Sequence, residues 1–289
     1  MTAPAAAIPE PSAPARKRPF PRWITYALLA LFALFFLIPI YVALITSFKS
    51  MGEVTRSDFW APPTAPTGEN FGLAFDKLRA GFLNSIYLTV PGVLISCVLG
   101  SMNGYVLSKW KFRGSNAIFT LILFGMFIPY QAIILPLEFF LQGVNLYGKI
   151  PGLILTHVIY GIPITTLIFR NYYAGVPKEL IESGTIDGAG FFGIYRHIVL
   201  PLSVPAFVVV LIWQFTAIWN EFLFAVSLNS DPRSQPITVS LAGLGASTAG
   251  TNYGMQMAGA LITALPTLLI YIFLSRYFIR GLLAGSVKG

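Results

Sequence analysis

The sequence predicts an all-α polytopic membrane protein with six transmembrane helices and both termini in the cytoplasm. Three observations carry that expectation. Hydrophobic residues make up 55% of the chain and charged residues only 10%, far below the roughly 25% of an ordinary soluble domain. Six apolar runs are long enough to cross a bilayer, which needs about 20 largely apolar residues. The cations divide unevenly between the segments that separate those runs.

The runs lie at 23–48, 84–107, 117–141, 150–169, 204–228 and 255–279. They are too long, and alternate too little, for the strands of a membrane barrel. With both termini inside, thirteen of the nineteen Lys and Arg residues fall on the cytoplasmic side. The loop Lys109–Arg113 carries three cations and no acid, the pattern expected of a cytoplasmic turn. The chain then divides into a cytoplasmic tail (1–22), a six-helix domain (23–279) with a cytoplasmic loop at 171–203, and a short C-terminal tail (280–289). Residues 1–15 read as disordered. The run after Arg22 is too long for a signal-peptide core and reads as a retained span.

Several classes are excluded. A soluble chain of 31.6 kDa has too little interior to hide this much apolar surface. One cysteine, Cys97, and two histidines, His157 and His197, leave no disulfide framework and no metal cluster of familiar spacing. No lysine sits in a G-x-x-x-x-G-K-S/T context, so the phosphate-cradling loop of an ATPase is missing. The net charge of +8 belongs to a membrane topology rather than to nucleic-acid binding.

Outside the membrane, residues 49–83 form the longest outer loop. Within it, 70–80 read either as an interfacial helix or as irregular chain. In the helical reading Phe71, Leu73, Phe75 and Leu78 turn to lipid and Asp76, Lys77 and Arg79 to water. The outer segment 229–254, rich in Gly, Ser and Thr, reads as a flexible loop.

The cytoplasmic loop between the fourth and fifth runs differs from the others. Pro177 suits the first position of a helix, and Glu179 and Glu182 lie near that start, where the dipole favours anions. Gly188 and Gly190 suit a left-handed helix end. Aromatic residues follow, then Leu200 and Pro201 lead into the fifth run. Such a tethered short helix can lie in the groove of a soluble partner or rest on the lipid surface.

Glu182-Ser183-Gly184, then Asp187-Gly188-Ala189, then Ile198, Leu200 and Pro201 resemble the EAA motif of ABC importer permeases. Ser183 and Gly184 stand where the motif has two alanines. Tyr195 in an aromatic position is similar to the carbohydrate branch, of the maltose G-subunit type. So are Trp219-Asn220-Glu221-Phe222-Leu223 and the Gly-rich tail from Gly281. The resemblance runs from about Ile24 to Gly289 and implies a type I importer permease fold. It implies a sugar-import permease that forms half of a pathway and couples through 177–201 to a separate ATPase. Glu179, Glu182, Ser183, Gly184, Asp187, Gly188, Ala189, Tyr195, Leu200 and Pro201 would carry that coupling. The implied partners are a second permease chain, an ATPase dimer that uses ATP and Mg, and an extracytoplasmic solute-binding protein facing 229–254. This chain would bind no cofactor and no nucleic acid. Its place would be the cytoplasmic membrane of a bacterium or archaeon.

Within the apolar runs, Tyr130, Gln131, Trp213, Trp219, Asn220 and Glu221 are candidates for a solute path, since sugars stack on aromatic rings and an acid at this depth is costly. Glu221 reads equally as an interhelical hydrogen-bonding group. It is also the one candidate for a proton site, in the competing reading of a proton-coupled transporter. His157 reads as a hydrogen-bonded packing residue and Glu138 as interfacial. Pro129, Pro163 and Pro266 are expected to interrupt their spans.

Overall fold

A computed structural model describes residues 21–286, apart from Ser57, Lys111 and residues 246–251. The expected disordered tail 1–15 and the end of the C-terminal tail lie outside the described residues. Every regular element among the described residues is helical. In chain order these are α1 (Arg22–Ser47), α2 (Met51–Arg56), α3 (Glu69–Lys109), α4 (Ser115–Phe124), two 3-10 turns (Gly125–Phe127 and Tyr130–Ile133), α5 (Ile134–Gly143) and α6 (Ile150–Ala174). Then come α7 (Lys178–Ile186), α8 (Phe191–Ile194), a π segment (Tyr195–Val199), α9 (Leu200–Leu202) and α10 (Val204–Trp219). The last three are α11 (Leu223–Leu228), α12 (Ile237–Leu244) and α13 (Tyr253–Ser286). The chain divides into two compact bodies at Val42 and Ala43.

Four helices are long and apolar enough to cross a membrane: α1, α3, α6 and Tyr253–Leu274 of α13. Two further stretches pass as bent pairs. Ser115–Phe127 meets Tyr130–Gly143 at 91°, and Phe191–Leu202 meets Val204–Trp219 at 76°. Counting each pair as one crossing gives up to six.

The second body is built around α3, whose 41 residues extend about 60 Å at 1.5 Å per residue. Small residues let α6 lie close along it. A Cβ added to Gly104 would come within 2.7 Å of Phe169 Cβ and 2.8 Å of the Arg170 nitrogen; one added to Gly100 would collide with Thr165. In lipid, where apolar burial drives little association between helices, such close backbone approach is what holds a helix pair. Trp219 of α10 is 2% exposed. It stacks on Phe215 with ring centroids 5.4 Å apart, meets Phe82 of α3 edge-on, and donates its indole N–H to the Thr263 carbonyl of α13 at 2.9 Å.

Four expectations change here. Residues 70–80 are neither a separate interfacial helix nor a loop: they are the first turns of α3, and Leu78 is buried against Trp219, Ile237 and Leu244 instead of facing lipid. Part of the 229–254 segment is the helix α12, seated on α3. Asn84 donates to the Arg233 carbonyl at 2.8 Å and the Gln235 carbonyl at 3.1 Å, and Ser85 Oγ accepts the Ile237 N–H at 2.8 Å. Pro163 and Pro266 lie inside continuous helices, because neighbouring helices compensate the one lost backbone bond. The chain does break at Pro129, as the 91° bend, and again at 220–222 between α10 and α11, where no proline marks it.

Candidate functional site

The loop after α6 folds into a self-terminated helix. Pro177 is the cap rather than the first helical residue, with φ −55° and ψ 139°. The other end is a Schellman motif. The Ala189 N–H donates to the Gly184 carbonyl at 2.9 Å and the Gly188 N–H to the Thr185 carbonyl at 3.0 Å, which satisfies carbonyls that the helix leaves open. Gly188 takes the left-handed φ of +80° that this geometry needs. Gly190, at φ −71°, does not share that role.

Gly184 is the buried residue of α7, and its position answers the departure from alanine there. A Cβ would stand 2.5 Å from Ile198 Cδ1, so glycine lets α7 pack onto the π segment. Around Gly188 a Cβ meets nothing within 4 Å. Its constraint within this chain is therefore the backbone conformation, not crowding. Glu179, Glu182, Ser183 and Asp187 are exposed. So are apolar side chains that a finished surface would cover: Ile186 is 86% exposed and Phe192 67%. Leu200 and Pro201 line an apolar groove with Val204, Phe207, Val208 and Leu211.

Tyr195 is placed differently from the rest of the set. Its hydroxyl turns inward to Ser101 of α3 at 2.9 Å, and its ring lies 5.4 Å from that of Tyr105. Tyr105 also packs on Phe191 at 5.0 Å and donates to the Phe191 carbonyl at 3.3 Å. Lys109 Nζ donates to the Val176 carbonyl at 2.6 Å. Sequence reasoning missed Ser101, Tyr105, Lys109 and Tyr173 as partners of the loop. Ser101, Tyr105 and Lys109 lie far from it in the chain, and a serine or tyrosine, Tyr173 included, carries no local signal of its contact.

The solute-path candidates do not form one site. Trp219 is withdrawn into the core, as described above. Trp213 is 54% exposed on α10, and Asn220 turns back to the Thr216 carbonyl at 3.0 Å. Gln131 is exposed beside Tyr130. The ring of Tyr130 packs on Phe224 at 5.6 Å, and Tyr160 and His157 meet the same ring at 5.3 and 5.8 Å.

Glu221 sits at the break after α10, with its side chain 16% exposed. Oε1 accepts the Phe224 N–H at 2.7 Å and Oε2 the Ala225 N–H at 3.2 Å. The carboxylate thus closes the open first turn of α11, where a helix presents unpaired donors and favours an anion. The Glu221 carbonyl accepts from Thr238 Oγ1 at 2.9 Å, which ties α12 to the same break. His157 Nε2 is 3.7 Å from Oε2 and makes no hydrogen bond. It is not the satisfied packing residue expected from sequence.

Residues 92–283 match the model of a family described as the binding-protein-dependent transport system inner membrane component. The chain belongs to that family. It is 39% identical over 282 residues to the xylose/arabinose import permease protein XacI of Haloferax volcanii, covering 89% of this chain and 90% of that one. It is 34% identical over 268 residues to the diacetylchitobiose uptake system permease protein NgcG of Streptomyces coelicolor, covering 92% and 87%. Its fold matches a chain in the crystal structure of a bacterial ABC transporter involved in the import of the acidic polysaccharide alginate. The TM-score there is 0.80 at 21% identity, over 89% of this chain and 96% of that one. The permease is therefore an all-helical membrane component of an ABC transport system, and the match spans the 177–201 loop.

Proposed function

We propose that this permease forms half of the translocation pathway of an ATP-driven sugar importer in a bacterial or archaeal cytoplasmic membrane. Six spans, with both termini inside, place the 177–201 loop in the cytoplasm. There it docks on a separate ATPase dimer, which binds ATP and Mg. A second permease chain completes the path, and an extracytoplasmic binding protein delivers the solute to the face that carries 229–254. The observation that carries this reading is the loop itself: a helix that begins at Pro177 and is closed at its C-terminal end by its own backbone, yet leaves Ile186 and Phe192 uncovered. Exposed apolar side chains on a pre-folded helix are what a grooved partner takes up. Sugar as the solute is supported by relatives whose names specify pentoses and an amino-sugar disaccharide.

On this reading Glu221 holds a backbone break closed and carries no transported proton. The test is reconstitution with the partner chains in vesicles. Uptake should require ATP and survive collapse of the proton gradient. Glu221→Gln keeps one acceptor and should retain substantial uptake, whereas Glu221→Ala leaves two N–H groups open, at about 1–3 kcal/mol each. Uptake that persists without ATP and stops with the gradient, with Gln as damaging as Ala, would overturn the assignment in favour of proton coupling.

A further inference from the structure

Three hydroxyl groups from three elements meet where the loop joins the membrane helices. Ser101 Oγ on α3 is 2.6 Å from Tyr173 Oη near the end of α6, and 2.9 Å from Tyr195 Oη at the start of the π segment. Ser101 and Tyr173 are fully buried. The rings around them are close: Phe169 stacks on Tyr173 at 5.8 Å, and Tyr105 packs on Tyr195 and Phe191.

These two kinds of contact respond differently to movement. Stacked and tilted rings resist separation but tolerate sliding, because apolar packing has little directional preference. A hydroxyl hydrogen bond is directional, and a buried group that loses its partner is left unsatisfied; the Ser101–Tyr173 bond is buried and the Ser101–Tyr195 bond part-buried. The loop has freedom to pivot beside this point. A π segment is a short, irregular element, and the 76° bend follows directly after Leu202. Lys109 to the Val176 carbonyl and Tyr172 to the Leu202 carbonyl, single bonds of 2.6 and 2.7 Å, tie the flanks, the second of them at an exposed place. α3 and α6 behave as one body because Gly100 and Gly104 admit no space between them.

We propose that Ser101 is a positioning residue for coupling. Its hydroxyl joins the loop, through Tyr195, to α6, through Tyr173. A displacement of the loop is thereby delivered to the α3–α6 pair instead of being lost as sliding at the aromatic contacts. The inference rests on the reading of the loop as an ATPase-docking element.

The experiment uses the assembled transporter in proteoliposomes and reads uptake and ATP hydrolysis together. Ser101→Ala should lower the uptake obtained per ATP by about threefold to tenfold, the factor that loss of a buried hydrogen bond carries in an equilibrium. Tyr195→Phe keeps the ring and should show a similar fall. Combining the two should cost no more than Ser101→Ala alone, because both remove the same link. Parallel loss of uptake and hydrolysis at a constant ratio overturns the proposal, and so does a double variant whose losses multiply. Should Ser101→Ala fail to assemble, the isosteric Tyr173→Phe and Tyr195→Phe carry the test by the same ratio. A wild-type complex without ATP-driven uptake strikes the docking reading. Intact wild-type coupling with unchanged ratios in the variants strikes this inference alone.

Discussion

The two ends of α3 hold very different structures. Near its start, α12 is a finished piece of protein. Its N-terminus is bonded to Asn84 and Ser85, and Ile237, Val239 and Leu244 are buried. Near its end, the 177–203 loop is equally well held from behind, by Ser101, Tyr105 and Lys109, but its front is bare. Ile186 and Phe192 remain exposed. The contrast separates two uses of a short amphipathic helix. One completes its own core, and the other, on the proposed reading, is completed by a partner.

If that contrast is right, variants at the two ends should fail in different assays. The largest effect is expected at Gly188. In Gly188→Asp the chain keeps its spans, since a Cβ there meets nothing within 4 Å. It must still carry a side chain at φ +80° and places an anion on the proposed docking face. ATP-driven uptake should be abolished while ATPase activity and membrane insertion persist; normal uptake would remove the loop from the coupling path. Next is Ile186→Ser. Full burial of an isoleucine is worth about 1.5–3 kcal/mol, so the association constant for the ATPase should drop roughly tenfold or more. The isolated chain should melt as the wild type does, and a melting loss without an affinity loss would mean that Ile186 is covered by this chain itself.

At the other end the order reverses. Ser85→Ala strips the buried Ile237 N–H of its acceptor, at about 1–3 kcal/mol. Hydrogen exchange in 237–244 should rise with ATPase binding unchanged. Weakened ATPase binding instead would contradict the independence of the two ends. The smallest effect concerns Glu53 in the 49–68 segment. Its carboxylate accepts the Thr64 N–H at 2.6 Å and the Thr64 hydroxyl at 2.9 Å. The Thr64 N–H holds its pKa below the ordinary 4.5. The folded value is the lower one, so the clamp is fully present above the unfolded pKa and is lost as pH falls through the folded value. Proteolysis between Arg56 and Thr64 should increase on acidification below about pH 4.5, and Glu53→Gln should flatten that dependence. An unchanged acid response in Glu53→Gln would assign it to another group.

The loop was the most legible part of the site. Proline, acids and glycine at Pro177, Glu179 and Gly188 state a helix start and end in local terms, and local terms decide a Schellman turn. Glu221 was legible as an unusual acid but not as a cap. Its partners Phe224 and Ala225 become donors only because the chain breaks at 220–222, and nothing in Trp219-Asn220-Glu221-Phe222 announces a break as proline does. Residues 70–80 show the same limit from the other side: their charges mimic an interfacial segment, while Leu78 is claimed by Trp219 of α10 and by Ile237 and Leu244 of α12.

By itself the sequence determined that this protein is helical and lives in a membrane. Apolar run length and charge asymmetry act residue by residue against lipid and water, and need no tertiary contact to be read. The motif at 182–201 likewise marked the family. Tertiary structure alone decided which helices bend, which polar groups pair across the bundle, and that Ser101 joins Tyr173 to Tyr195. Those outcomes depend on the approach of α3 and α6 at Gly100 and Gly104. Close packing couples residues far apart in the chain, and that coupling leaves no periodic trace in either segment.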